Sequence, residues 1–291
     1  MSYETLENNF LILNVKHHGA ELSSVIDKIT GFEYIWQAGE SWKRHAPVLF
    51  PIVGRLIDNK YSFKQNNYHL NQHGFARDML YTLISKTTNK LTFNLKSNVD
   101  TLKNYPFSFS LEISYELIDN KLTVNYNIYN SGNNNLYFGI GAHPAFNTNF
   151  NNGNLNDYSL KFSVDELITQ PLENGLRNEK RNRIQLNEKA LKLDKNLFKN
   201  DAIILGNNQI NDIELIHQSQ NHSVKLTCTN WPYFGIWTKE NSKDFICLEP
   251  WYGITDHHQH NQILEEKEGI IALESGHTFE CAFCITFKTN N

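Results

Sequence analysis

Apolar and polar residues alternate at every second position over much of the chain, and elsewhere short apolar runs stand between polar turns. In Leu122-Thr-Val-Asn-Tyr-Asn-Ile-Tyr129, the side chains of Leu122, Val124, Tyr126 and Ile128 share one face of an extended segment. Residues 10–15, 91–95, 107–118, 224–229 and 278–287 show the same enrichment in β-branched and aromatic side chains, which pack well on a pleated surface. Between 107–118 and 122–129, Ile118-Asp-Asn-Lys121 predicts a tight hairpin turn. Long helical periodicity is missing, and short helices are expected at 99–104, 194–198 and 262–266.

Many strands at short spacing, without alternating helices, predict an all-β chain folded as an antiparallel sandwich or barrel rather than a βαβ sheet. No Pro/Gly/Ser-rich linker divides the sequence and no fixed-period repeat is visible, so one domain spanning 1–291 is expected. The charged, Asn-rich stretch 173–192 reads as the least structured part, an excursion rather than a boundary. A large pair of sheets would present a broad concave face suited to a polar ligand.

Composition narrows the partners. A chain of 291 residues can bury most of its unfolded surface without disulfides or metals. With 20% charged and 40% hydrophobic residues it is too apolar for disorder. Its 27 basic and 31 acidic residues give a net charge of −4 with no basic stripe, which argues against nucleic acid or an anionic membrane as partner. No apolar run approaches the ~20 residues of a membrane span. Met1-Ser-Tyr-Glu4 lacks the basic start and apolar core of a signal peptide, so a cytoplasmic protein is expected. The four cysteines are too few for a disulfide scaffold. Cys281 and Cys284 have CxxC spacing, but they lie in an expected terminal strand with no second pair, and read as small core residues.

Four segments set ionisable side chains beside residues that should be buried or tightly turned. Ala46-Pro-Val-Leu-Phe-Pro-Ile-Val-Gly-Arg55 ends an apolar run in a guanidinium, which either grips a polar ligand or forms a structural ion pair. Asn71-Gln-His73-Gly-Phe-Ala-Arg77 places a histidine before a glycine, where its ring either meets a ligand or bonds the fold. In the same segment, Arg77 is either a ligand contact or a partner for Asp78. Phe138-Gly-Ile-Gly-Ala-His143-Pro fixes an imidazole at a strand end, suited to proton exchange near neutrality or to capping a turn. Phe245-Ile-Cys-Leu-Glu249-Pro-Trp251-Tyr sets a carboxylate at the buried end of a strand, where its pKa rises unless it is paired. A raised pKa makes it a competent general base, and Trp251 could stack on a sugar face or pack the core.

Two other clusters carry no assigned role. Asp256-His-His-Gln-His260 has donors for a divalent metal, but adjacent histidines on a flexible stretch bind metal adventitiously, and no metal site is expected. Gly139-Ile-Gly141 has neither the third glycine nor the helix of a dinucleotide fingerprint.

In their order and context, Leu49-Phe-Pro-Ile-Val-Gly-Arg55, His73-Gly, Gly141-Ala-His143-Pro-Ala-Phe and Leu248-Glu-Pro-Trp251 resemble the aldose 1-epimerase (galactose mutarotase-like) family over nearly the whole chain. The resemblance is strongest to a bacterial branch that includes a protein encoded in some lactose operons. It implies a β-supersandwich with a few short helices that interconverts the anomers of a free aldose by acid–base ring opening, with no cofactor. By this resemblance Glu249 is the base and His143 the acid. His73 bonds near the ring oxygen, Arg55 grips hydroxyls, Asp201 holds hydroxyls, and Arg77 and Trp251 join the binding surface. The implied partner is a small-molecule sugar, and a homodimer is allowed.

The chain also departs from the family's galactose mutarotases. Gly54-Arg55 is followed by Leu-Ile-Asp-Asn-Lys60 rather than Asn-Arg, His143 lies in Ala-His-Pro-Ala-Phe-Asn, and Glu249 is followed by Pro-Trp. The resemblance therefore implies the acid–base pair but not galactose as substrate. It leaves two alternatives, a hexose-6-phosphate mutarotase using Lys43, Arg44 and Arg77, and a non-catalytic carbohydrate-binding protein.

Overall fold

A computed structural model describes residues 2–149, 153–219 and 222–289. The chain is an antiparallel β-supersandwich, as the alternating pattern and the family resemblance together imply. One sheet has nine strands, with Thr278–Thr289, Lys121–Asn130 and Phe109–Ile118 adjacent near its centre and Ala190–Lys192 and Thr82–Lys86 at its edges. The second has eight strands, centred on Tyr233–Trp237 and Phe245–Tyr252. Three N-terminal strands, Tyr3–Glu7, Leu11–Lys16 and Leu22–Asp27, form a smaller sheet.

Strand Lys121–Asn130 buries alternate residues, Leu122, Val124, Tyr126 and Ile128, in the main core. Ile118 pairs with Lys121 across the expected hairpin turn, where Asp119 takes a left-handed φ of 51°. The short helices form as an α-helix at Val99–Asn104 and as 3-10 turns at Lys195–Phe198 and Leu264–Glu266. Asn98 caps the first of these by accepting from the Asp100 and Thr101 N–H groups. No helix among the described residues is long and apolar enough to cross a membrane.

The stretch 173–192 is more ordered than its composition suggests. Leu172–Glu173 pairs with Leu176–Arg177 as a hairpin, Asn182–Gln185 closes one edge of the eight-stranded sheet, and Ala190–Lys192 closes one edge of the nine-stranded sheet. Edge strands can be short and polar because only one side needs a partner. Such strands lack the apolar alternation by which buried ones are recognised.

Strand Phe245–Tyr252 positions the site. Seven successive residues are buried, and the pleat splits them between two surfaces. Ile246 and Leu248 enter the main core between the sheets. Phe245 and Cys247 join an aromatic cluster with Trp36, and Trp251 joins a separate apolar cluster with Leu49, Val53, Ile204 and Ile254. Glu249 belongs to this second face, between the two clusters. Each fully buried aliphatic side chain contributes ~1.5–3 kcal/mol, so the core residues on one face hold the carboxyl on the other in place.

Candidate active site

His143 and Glu249 are brought together by strand register. Gly141 pairs with Trp251 and Ala145 pairs with Cys247, the same register on both sides of His143-Pro144, so His143 stands opposite Glu249. Pro144 has no N–H to give and interrupts the ladder there, while its carbonyl accepts from Leu248 N–H at 3.2 Å. His143 Nε2 lies 3.2 Å from Glu249 Oε2, with the two residues 7% and 1% exposed. The contact lies off the hydrogen-bonding direction. Glu249 Oε2, His143 Nδ1 and the Trp251 indole nitrogen are all buried without a hydrogen-bond partner. Buried polar atoms left unsatisfied in this way call for an explanation, and a site awaiting a polar ligand supplies one.

Burial dominates the electrostatics of the pair. It pushes the Glu249 carboxyl well above the usual carboxylate range, the Asp201 carboxylate pushes further, and the Trp251 indole opposes this only in part. Burial also lowers His143 to about 3, helped by the Arg77 charge. Burial thus favours the uncharged form of each group, a protonated carboxyl beside a neutral imidazole.

His73 reaches the same cavity from a strained turn. It has a left-handed φ of 66° and is followed by Gly74 at 68°. A Cβ on Gly74 would lie 2.3 Å from the Phe50 carbonyl oxygen, so only glycine fits. Strain of this kind, ~1–3 kcal/mol for a non-glycine residue, is found where a fold must aim a functional group. The Gly54 N–H donates to His73 Nδ1 at 3.1 Å, which leaves the ring proton on Nε2 as a donor. The Gln72 amide nitrogen lies 3.3 Å from that nitrogen, so with the ring proton there the carboxamide must turn its oxygen inward to accept it. Burial holds His73 well below the usual imidazole range, with His143 and Arg77 adding to the effect. The two histidine rings meet edge to face at 5.6 Å.

Around these groups is a cavity of about 350 Å³, within the range of small-molecule sites. Trp42 stacks on His143 at 4.9 Å and Trp237 meets it edge-on at 5.7 Å. Leu172, Ala202 and Ile204 form an apolar side, and Gln72, Arg77, Asp201 and Thr255 supply polar groups. Arg77 donates to the Gln72 carbonyl at 2.7 Å, and burial, with Arg44 nearby, lowers its pKa to about 10. Asp201, left-handed at a φ of 74°, accepts the Ala202 N–H at 2.8 Å.

Among the residues expected from sequence, Glu249, His143, His73, Asp201, Arg77 and Trp251 all line this cavity. Arg55 does not. Gly54, at a left-handed φ of 74°, forms the wall, and the next side chain turns outward, where Arg55 Nη1 donates to the Asn174 carbonyl at 3.1 Å. Trp251 is a wall rather than an open platform. It is 4% exposed, and a Cβ on Gly141 or Gly235 would meet its ring at 2.7 or 2.4 Å. Lys43 is exposed and Arg44 pairs with Asp78 at 2.9 Å, so of the three cations only Arg77 is on the wall. Trp42, Trp237, Gln72 and Thr255 are lining residues that the motifs did not single out.

The clusters set aside from sequence also resolve. Cys281 and Cys284 are free thiols three residues apart on strand Thr278–Thr289, and so point to opposite faces. Asp256 does not join its neighbouring histidines. It is buried and paired with Lys267 at 2.7 Å.

The antiparallel supersandwich places the chain in the galactose mutarotase-like class of fold. A family model described as aldose 1-epimerase matches residues 3–270, and the chain belongs to that family. It is 32% identical to the chromosomal protein LacX of Lactococcus lactis subsp. lactis, over 97% of this chain and 98% of that protein. Among solved structures it resembles a galactose mutarotase related enzyme from Lactobacillus acidophilus. The TM-score is 0.94 and the identity 35%, covering 99% of this chain and 98% of that one. A galactose mutarotase-like protein from Lactobacillus casei gives a TM-score of 0.92 and 30% identity, over 99% and 100% of the two chains.

Proposed function

We propose that the protein is an aldose 1-epimerase that opens and recloses the ring of a free hexose or related aldose at the Glu249–His143 pair. The observation that carries this reading is a buried carboxyl and a buried imidazole held 3.2 Å apart on the wall of one polar cavity. Ring opening needs a base at the anomeric hydroxyl and an acid at the ring oxygen. Glu249 as carboxylate takes the hydroxyl proton, and the electrons form the aldehyde C=O as the C1–O5 bond breaks. His143 as imidazolium then delivers its proton to O5. The product state is a protonated carboxyl, a neutral imidazole and an open-chain aldehyde.

That proton placement is the one burial favours. Passing one proton across the pair gives the carboxylate–imidazolium form that receives the closed ring. Rotation about C1–C2 followed by closure reverses each transfer and delivers the other anomer. His73 Nε2–H is a neutral donor suited to the ring oxygen side, and Arg77 and Asp201 are suited to hydroxyls.

A phosphorylated sugar is less well served, because Arg77 shares the wall with Asp201 and no second lysine or arginine among the described residues lines it. A pure binding protein would need hydroxyl contacts but no matched acid and base. The test follows freshly dissolved α-D-glucose and α-D-galactose to anomeric equilibrium by polarimetry, with and without protein. Acceleration of either sugar is expected. No acceleration of these sugars or of their 6-phosphates would overturn the proposal.

A further inference from the structure

Outside the cavity, the fold gathers a second group of ionisable side chains. His257 Nε2 and His258 Nε2 lie 3.6 and 3.8 Å from one carboxylate oxygen of Glu179, and all three ligand atoms fall within 4.8 Å of one another. We propose that Glu179, His257 and His258 form a site for a divalent transition metal of the zinc type, with water completing the coordination. Tetrahedral zinc has bonds of ~2.0–2.1 Å, which places ligand atoms about 3.3–3.4 Å apart, so the two Glu179–histidine spacings need only a small contraction, and the two imidazole nitrogens, within 4.8 Å of each other, close by a turn of the rings.

The segment carrying the two histidines is held rigidly, unlike the flexible stretch its sequence suggests. His258 N–H donates to the Arg177 carbonyl at 2.9 Å, and Arg177 N–H donates to the Asp256 carbonyl at 2.9 Å. The buried Arg177 guanidinium bonds the Thr255 carbonyl at 2.9 Å, the Gln170 side chain at 3.1 Å and Glu268 at 2.8 Å. Lys267 holds Asp256 at 2.7 Å and the Ile254 carbonyl at 2.6 Å.

One ligand is already oriented. His258 Nδ1 lies 3.2 Å from the Arg177 carbonyl, which can only accept, so the ring proton sits on Nδ1 and Nε2 keeps its lone pair for a metal. An outer hydrogen bond of this kind typically accompanies a metal-binding histidine. His257 Nδ1 accepts the Gln259 N–H at 3.3 Å, so its ring proton must move from Nε2 to Nδ1, breaking this long bond, before Nε2 can coordinate.

The position gives such an ion a structural consequence. Glu179 follows the Leu172–Glu173 and Leu176–Arg177 hairpin, from which Leu172 and Gly175 line the cavity, and the histidines follow Thr255 on the same wall. A bound ion would tie the hairpin side of the cavity mouth to the Thr255 side. It touches neither Glu249 nor His143 and takes no part in proton transfer.

The probe is Zn²⁺ itself, titrated calorimetrically into chelator-treated full-length protein. One ion per chain is expected, with affinity weakened at least ~10-fold in both His258→Ala and Glu179→Gln. X-ray absorption of the zinc-loaded protein should show imidazole ligation, lost in His258→Ala. Zinc should also raise the melting temperature of the wild type but not of the variants. Three results would overturn the proposal: no saturable binding, binding indifferent to both substitutions, or binding abolished by Glu249→Gln instead. The last would place the ion at the buried His143, Cys247 and Glu249 group.

Discussion

Glu249 is a carboxyl that burial makes easy to protonate, and His143 is an imidazole that burial makes hard to protonate. Each shift links stability to pH. The folded state holds the Glu249 proton more tightly than the unfolded chain does, so that contribution is present at low pH and lost as pH rises through the raised value. His143 titrates at about 3 when folded, below the ordinary 6.5, so its contribution is present above 6.5 and lost as pH falls toward 3. In Glu249→Gln, melting temperature relative to wild type should rise as pH climbs above the ordinary carboxylate range, as thermal melts would show. A gain independent of pH would mean that Glu249 is not protonated in the folded protein. At this scale the sequence was informative where an ionisable residue followed an apolar run. Glu249 and His143 could be picked out in that way, and His73 by the glycine that follows it. The outward turn of Arg55 could not, because it depends on the backbone angle of Gly54 and on a carbonyl more than a hundred residues further along the chain.

At the level of strands, the long alternating segments were legible because one face must be apolar wherever a sheet covers a core. The two- to four-residue strands within 173–192 were not, since an edge strand pairs through its backbone and leaves little trace in side-chain pattern. The opposition of His143 and Glu249 is also a property of strands. It follows from a register that runs unbroken past Pro144, which no residue pattern discloses. Gly235 pairs with Glu249 from the other neighbouring strand, and its missing side chain leaves room for the Trp251 ring. Gly235→Ala should therefore cost about 1–3 kcal/mol in chemical denaturation, as overpacking of a tight core does. The displaced indole should also slow turnover. An unchanged denaturation midpoint would show that the ring has space to move.

Taken as a whole, the cavity is assembled from segments scattered between Trp42 and Thr255. This is why its tryptophan walls escaped the motifs. Trp42 and Trp237 lie far from His143 in sequence and meet it only once the sheets have formed. The same holds for Glu179, which joins His257 and His258 across a long interval of chain. Because the reaction is assigned to a protein acid and base alone, mutarotation should persist after treatment with EDTA, even if a zinc ion has left the cavity mouth. A loss of turnover restored by Zn²⁺ would contradict the acid–base scheme. The central claim is that proton exchange between the sugar and the Glu249–His143 pair carries the reaction. Its most direct test is the anomeric exchange rate of an accepted aldose, measured by NMR for wild type and Glu249→Gln, with sugar binding measured in parallel. The account predicts a fall of ~10²–10⁴-fold in turnover with binding retained. Unchanged turnover in the variant would remove Glu249 from the mechanism.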